Sequence, residues 1–253
     1  MLAPVRICTW NIQMGLRLGE VVDAVESHPD FAKVDLLALQ ESSIHDGRPD
    51  AEVIAEALGP EFRCFQATAQ MLRGRDQGNA LIWRPEAFQP DAPEVVALTG
   101  AGVVRMTRAE QTLLRAIPPQ RRIALRAESA AMRVYVVHLD VVGFTHKLEQ
   151  FGAVVADMQA RPEVPLTLVA GDLNTFGMPR LQMWRRIRAS AKTAELVELT
   201  RTVRRTHWTS QKLDAIYMKG AAASEHHAWA LAIRGSDHLP VFADIEAHGV
   251  SRA

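Results

Sequence analysis

The sequence predicts an α/β fold, and three observations carry that reading. Short β-rich runs alternate with segments of helical periodicity. Several of the runs, VYVV and LTLVA among them, are continuously apolar, as strands covered on both faces are. Polar residues of the kinds that catalysis uses stand where apolar strands end, and ligands of α/β proteins collect at strand ends.

The expected strands, in order, are Val5–Trp10, Asp35–Gln40, Ala80–Trp83, Arg133–His138, Leu166–Ala170, Leu213–Met218 and Val241–Ile245. Helical patterns lie between them. Glu20–Ser27 places Val21, Val22 and Val25 on one side. Asp50–Leu58 offers Asp50 as an N-cap, an apolar stripe of Val53, Ile54, Ala57 and Leu58, and Gly59 as a stop. Thr145–Ala160 lines up Leu148, Phe151, Val155 and Met158, and Pro179–Ala189 lines up Leu181, Trp184 and Ile187 among arginines. These stripes read as core-facing packing. The irregular stretch Gln89–Arg122, rich in Pro and Gly, reads as a long excursion rather than a domain boundary, because chemically suggestive residues flank it on both sides. One domain over residues 1–253 is expected.

Composition narrows the class. With 253 residues, 48% hydrophobic and 23% charged, the chain is neither disordered nor in need of covalent staples. Two cysteines, Cys8 and Cys64, make no disulfide framework, and Cys8 reads as core. Arg6 interrupts the first apolar run, and nowhere does an uncharged stretch of about 20 apolar residues occur. The expectation is therefore a cytoplasmic monomer without a transmembrane segment. Lys plus Arg equals Asp plus Glu at 29 each, which argues against a protein whose main affinity is for nucleic-acid backbone. The preference for Arg over Lys suits phosphate recognition, but a GC-rich genome produces the same bias. RTVRR (Arg201–Arg205) and the arginines of PRLQMWRRIR read as solvated faces, with polyanion contact as the other reading, and His226-His227 reads as a solvated loop. Aromatics make up only 6% of the chain, so no stacking platform for single strands is indicated.

The strand ends carry the main signal. Val5–Trp10 runs into Asn11, Asp35–Leu39 into Gln40-Glu41, Val134–Val137 into His138-Leu139-Asp140, and Leu166–Ala170 into Gly171-Asp172-Leu173-Asn174. Asp214 lies in KLDAIY, and Ser236-Asp237-His238 precedes LPVFADI. Each has an ordinary structural explanation, such as an Asx turn or a solvated acid. Asp214 resists one, since a carboxylate within an apolar β-like run needs a partner. Gathered together, these residues would make a hard-cation site beside acid–base groups.

Seven stretches, TWN (Thr9–Asn11), LQE (Leu39–Glu41), GNALIWR (Gly78–Arg84), HLD (His138–Asp140), GDLN (Gly171–Asn174), LDAI (Leu213–Ile216) and SDHLPV (Ser236–Val241), fall in the order found in the endonuclease/exonuclease/phosphatase superfamily. The sequence resembles those DNase I-like, metal-dependent phosphoesterases over nearly its whole length. The resemblance implies a four-layer sandwich of two mixed sheets packed face to face with helices outside. It implies that Glu41 and Asn11 bind a divalent metal, Mg²⁺ or Mn²⁺, with Asp237 a further acid nearby. It also implies that Asp172 orients or deprotonates water, that Asn174 binds the phosphoryl group, that Asp214 and His238 form a dyad, and that His138 is a second histidine. Abasic-site endonucleases commonly carry tyrosine at the position of His138.

Two departures from the family pattern bear on function. Gln13 stands where some members carry a metal-supporting acid. Gln77, with Asp76 beside it, falls near the glutamate that backs the second histidine in DNase-like enzymes, which leaves open whether His138 has a carboxylate partner. Lys147 and Gln150 read as packing or supporting residues. The reaction implied is hydrolysis of a phosphomonoester or phosphodiester by in-line attack of water. A small molecule, nucleotide or lipid headgroup is favoured slightly over DNA or RNA as substrate, with Gln89–Arg122 as a candidate roof. A nuclease of the same fold and a non-catalytic partner-binding scaffold are the alternatives.

Overall fold

The computed structural model describes residues 4–98, 108, 120–141, 143–176, 183–220 and 226–246. Strands β1 (Val5–Asn11) and β2 (Leu36–Ser42) come first, followed by the two-residue strands β3 (Ile44–His45) and β4 (Arg48–Pro49). A hairpin joins β5 (Arg63–Leu72) to β6 (Arg75–Trp83), and β7 (Glu94–Ala97), β8 (Ile123–Glu128), β9 (Met132–His138) and β10 (Leu166–Asp172) follow. The last are β11 (Val197–Glu198), β12 (Asp214–Gly220), β13 (His226–Ala230) and β14 (Val241–Ile245). Helices α1 (Leu18–Ser27), α2 (Asp50–Leu58), α3 (Phe144–Gln159) and α4 (Met183–Thr193) are interspersed.

Two six-stranded mixed sheets form, ordered β13-β14-β1-β2-β6-β5 and β11-β12-β10-β9-β8-β7. Strand alternation explains how they stack. In β1, Val5 and Ile7 face the second sheet, while Cys8 and Trp10 face the helices. In β2, Leu36 and Ala38 point inward, and Leu37 and Leu39 point outward. In β10, Leu168 and Ala170 meet the first sheet, while Val169 packs toward α3 and α4 with Phe151 and Ile187. A period of two with both sets apolar produces the continuous runs seen in the sequence. The layers are therefore α1 and α2, first sheet, second sheet, α3 and α4, which is the four-layer sandwich expected.

All seven predicted strands occur, with ends shifted by a few residues. Strands β3, β4, β5, β7, β8, β11 and β13 escaped prediction; in β5, β8 and β13 the apolar residues are interrupted by Gln, Arg or His. Two local expectations are corrected. Asp50 is the first residue of α2 rather than its cap; Pro49 takes the cap position, and the Asp50 carboxylate instead accepts the Ser43 N–H at 2.7 Å. His226 and His227 lie on edge strand β13, not in a loop, with His227 stacked on Trp229 at 4.9 Å. Gly59 ends α2 at φ 145°, as expected. Most of the excursion 89–122 lies outside the described residues, as do positions 179–182 of the predicted fourth helix; within the excursion, β7 pairs with β8 at the sheet edge. Cys8 is buried in the core and Cys64 is half-buried, both as free thiols. Among the described residues no helix is long and apolar enough to cross a membrane.

Close backbone approach explains two motif glycines. A Cβ on Gly171, which has φ 154°, would sit 1.8 Å from the Val137 carbonyl oxygen; one on Gly78 would sit 2.1 Å from that of Ala67. Gly171→Ala is expected to destabilise the fold by about 1–3 kcal/mol or more, as overpacking does. A lower urea midpoint at unchanged m-value would show it; an unchanged midpoint would contradict so close an approach of β9 and β10.

Candidate active site

Register brings the chemistry together. On the second sheet, Asp172 pairs laterally with His138 of β9 and with Asp214 of β12. On the first sheet, Asn11 pairs with Gln40, next to Glu41, and β14 begins just after His238. Both sets of strand ends meet at the same edge of the sandwich. Asn11 Nδ2 crosses from one sheet to the other to donate to Asp172 Oδ2 at 3.1 Å.

Asp172 Oδ2 is the centre of the cluster. His138 Nε2 lies 3.6 Å from it and His238 Nε2 lies 3.7 Å from it. The other oxygen, Oδ1, accepts the backbone N–H of Asn174 at 2.8 Å. His238 Nδ1 is 2.9 Å from Asp214 Oδ2. Trp10 Nε1 donates to the His238 carbonyl at 3.0 Å, and Ser236 Oγ accepts the His238 N–H at 3.1 Å, so the ring is held from behind. Thr206 Oγ1 accepts the N–H groups of Leu213 and Asp214 and fixes the start of β12. Asn174 donates one amide N–H to the Leu139 carbonyl at 2.9 Å, and a carboxamide has two. The ammonium of buried Lys147 donates to the Asn174 carbonyl at 2.6 Å, which makes it a supporting residue as expected.

Backbone geometry aims two of these side chains. Glu41 has φ 52° at a register shift in the pairing of β2 with β6. It is the extra residue of a bulge, and bulges redirect side chains at functional edges. Asn174, at φ 48°, adopts the same left-handed region, which Asn tolerates better than most residues. Non-glycine residues held there mark strain that the surrounding structure must compensate.

The two histidines are in opposite electrostatic states. Burial alone would lower the His238 pKa, but Asp214 and then Asp172 outweigh it and push it up to about 10. Its imidazolium is thus the buried counter-ion of two carboxylates. Burial and the nearby Arg122 guanidinium instead hold His138 well below the usual histidine range. Arg122 Nη1 lies 2.9 Å from His138 Nδ1, so the ring accepts there and carries its proton on Nε2. Arg122 takes the place behind His138 where the resemblance raised the question of a carboxylate. Gln77 is buried nearby and accepts instead from Gln70 at 2.7 Å, while Asp76 accepts from Thr68. The carboxylates near His138 face its other nitrogen: Asp172 Oδ2, and Glu41 Oε1 at 3.9 Å. Burial raises the Asp172 pKa to about 6, against the pull of the His238 charge.

Glu41, Asn11 and Asp237 are the residues expected from the sequence to bind a cation, and each carries side-chain oxygen. Burial pushes the Glu41 carboxyl up, and Asp237 adds like-charge repulsion. Its ion contact among the described residues is His138, which is beyond hydrogen-bond reach and held neutral. A nearly buried carboxylate needs compensating charge, and Arg122 and His238 supply part of it, with a hydrogen bond from Asn11. An all-oxygen donor set suits a hard divalent ion rather than zinc. Two groups pack more tightly, His207 with Asp237 and His238, and Asp172 with Asp214 and His238; within each the ligand atoms lie within 4.8 Å of one another. Glu41 stands outside both, and of the two His238 nitrogens Nδ1 is already bonded to Asp214.

All eight residues singled out in the sequence thus lie in one cluster. Gln13, at the position of the missing acid, donates Nε2–H to Asp237 Oδ2 at 3.1 Å. Sequence reasoning missed two contributors. Arg122 sits at the end of the irregular excursion, where nothing in its neighbourhood flags it. His207 stacks edge-on against His238 at 4.6 Å between ring centres and lies 3.7 Å from Asp237, yet it occurs as a lone histidine just past the RTVRR run.

The model of the Endonuclease/Exonuclease/phosphatase family matches residues 8–238. Among solved structures, an endonuclease/exonuclease/phosphatase from Beutenbergia cavernae is 18% identical, with TM-score 0.71 over 99% of this chain and 73% of that one. The mannosyl-6-phosphatase of Bacteroides thetaiotaomicron is 14% identical, with TM-score 0.67 over 94% and 98% of the two chains. The human Nocturnin catalytic domain, solved with a bound sulfate, is 15% identical, with TM-score 0.67 over 97% and 94%. At these identities the likeness is one of fold. No curated protein matches the sequence.

Two outcomes test the electrostatics. A histidine with a raised folded pKa contributes stability that is complete below about 6.5 and lost as pH rises toward about 10. In the presence of a chelator, the stability advantage of the native chain over His238→Asn should therefore shrink from pH 6.5 to 10 in urea unfolding; a constant difference would contradict the ion cluster. Arg122→Gln should raise the His138 pKa, read by NMR titration of its ring protons, because one of the three causes that depress it, the others being burial and the His238 charge, is removed.

Proposed function

Because the chain belongs to the Endonuclease/Exonuclease/phosphatase family, whose members hydrolyse phosphoester bonds, we propose that it cleaves a phosphomonoester or phosphodiester by in-line attack of water. The observation that carries the reading is the convergence on Asp172 Oδ2 of Asn11, His138 and His238, the last backed by Asp214.

Asp172 orients the attacking water and takes up its proton. A carboxylate whose pKa is raised to about 6 is well matched to that task near neutral pH. Its second oxygen is tied to the Asn174 backbone, which limits its rotation. Three separate donors then face the phosphoryl oxygens. His238 donates as a cation, so it gains strength as negative charge builds up in the transition state. His138 donates as a neutral ring, with Arg122 holding the tautomer. Asn174 donates its remaining amide N–H. Glu41, Asn11 and Asp237 would hold Mg²⁺ or Mn²⁺, which when bound neutralises phosphate oxygens and stabilises the leaving group.

The substrate we favour is a small phosphorylated molecule rather than DNA or RNA. The equal numbers of acidic and basic residues support this, since nucleic-acid backbone binding rests on a net positive field. The phosphatase among the fold relatives is compatible with it.

A panel of phosphomonoesters and phosphodiesters with Mg²⁺ or Mn²⁺ is the decisive measurement. Hydrolysis is expected for at least one ester and should vanish with EDTA. Asp172→Ala and His238→Ala should each lower kcat by about 10²-fold or more with the circular dichroism spectrum retained. Near-normal turnover by either variant would refute these roles, and no divalent binding with no hydrolysis would favour the scaffold alternative. A steep fall in activity with salt would point to a nucleic-acid substrate instead.

A further inference from the structure

Among the described residues six large apolar side chains are exposed, and four of them stand on loops at the edge of the sandwich that carries the candidate site. They are Leu16 at 50%, Ile44 at 37%, Met71 at 61% and Trp208 at 65%. Exposed apolar residues scattered singly are ordinary, whereas several gathered on one face mark an interaction surface. Hydrogen bonds and packing join the four loops. The Trp208 backbone N–H donates to the Asp237 carbonyl at 2.9 Å. Gln13, whose side chain donates to the Asp237 carboxylate, begins the turn to Leu16, and the Leu16 N–H returns to the Gln13 carbonyl at 3.1 Å. Gly15 lies against the β3–β4 hairpin that carries Ile44: a Cβ there would sit 2.8 Å from His45 Nε2. Arg75 Nη1 is 3.2 Å from His45 Nδ1, which ties the β5–β6 hairpin to the same rim. Register shows that this hairpin projects. Strand β6 pairs with β2 as far as Gly78 and Ser42, while β5 and β6 go on pairing to Leu72 and Arg75, so Met71 stands beyond the end of β2.

The rim is also basic. Its segments 13–17, 44–48, 71–75 and 205–210 hold Arg17, Arg48, Arg73, Arg75 and Arg205 against one acid, Asp46, in a chain whose acidic and basic residues balance overall. Arg48 is paired with Glu56 and Arg75 lies on His45, but Arg17, Arg73 and Arg205 are exposed. The acids of the site itself, Glu41, Asp172 and Asp237, are buried or half-buried. An exposed Trp, long apolar side chains and arginines on one face match a bilayer with anionic headgroups. The apolar groups enter the boundary of headgroups and acyl chains, Trp favours that depth, and the guanidinium groups meet the phosphates. A second copy of the chain would suit the apolar groups but would set these like charges against each other.

We propose that this rim docks the candidate site onto an anionic lipid bilayer. Leu16, Met71 and Trp208 insert, and Arg17, Arg73 and Arg205 contact the headgroups. The docking does not rest on the hydrolytic reading, because none of these side chains belongs to the cluster around Asp172.

Co-sedimentation of the full-length chain with lipid vesicles, with chelator present, tests this. Vesicles of phosphatidylcholine mixed with phosphatidylglycerol should bind it, and phosphatidylcholine vesicles should bind it about tenfold or more weakly. Tryptophan emission should shift to the blue on the mixed vesicles and be quenched by brominated acyl chains, and Trp208→Ser should lose both effects. Leu16→Ser/Met71→Ser should weaken binding about tenfold or more with the circular dichroism spectrum retained. Arg17→Gln/Arg73→Gln should reduce the preference for the mixed vesicles about tenfold. No binding to the mixed vesicles, or unchanged binding in both double variants, would overturn the proposal. So would an equal loss of binding in His238→Ala, which would place the headgroup in the catalytic cluster. A dimer in solution that Leu16→Ser/Met71→Ser dissociates would assign the rim to a second copy instead.

Discussion

A fully buried carboxylate with an ionisable neighbour on each side is the constraint from which this architecture follows. Asp172 lies in the middle of the second sheet, 1% exposed. An ion in such a place is costly unless paired and hydrogen-bonded. The chain satisfies it from every direction: Asn11 from the opposite sheet, Asn174 from its own turn, and His238 from the loop before β14. Each partner lies on a different segment, so satisfying one carboxylate aligns the ends of both sheets. Trp10, Thr206 and Lys147 then serve the partners rather than the acid itself.

Two histidines around one oxygen would be expected to behave alike, and they do not. What differs is the group behind each ring. Asp214 behind His238 turns it into an imidazolium, and Arg122 behind His138 keeps it neutral. The consequence is a division of labour by charge. In the proposed reaction, the cationic donor would strengthen as the phosphoryl group becomes more negative, and the neutral one would position without adding a proton that the Asp172 carboxylate would compete for. It also relieves the cluster of a second buried cation close to Arg122, whose own pKa burial already lowers.

Glu41 shows why the site was legible in part. Its motif, LQE at the end of an apolar strand, could be read directly, and so could GDLN and SDHLPV. Each is a contiguous run whose polar residues border an apolar strand, so strand periodicity alone indicates where they emerge. Arg122 and His207 could not be read this way. Each acts through a contact with a residue distant in sequence, and neither belongs to a local pattern. The missed strands have the same cause. Strand β5 at the sheet edge is only partly buried along its length and has glutamines among its apolar residues, and edge strand β13 carries two exposed histidines. The misplaced cap at Asp50 shows local propensity overruled by a tertiary bond to Ser43.

From the sequence came the layer type and the set of candidate polar residues that gather at the strand ends. Alternation with both sets apolar is possible only for strands sandwiched on two faces, and an acid or amide after such a strand emerges at a sheet end. Tertiary structure alone decided what those groups are. Protonation, tautomer and orientation depend on what stands within about 4 Å across the fold. Sequence separation carries no information about that distance.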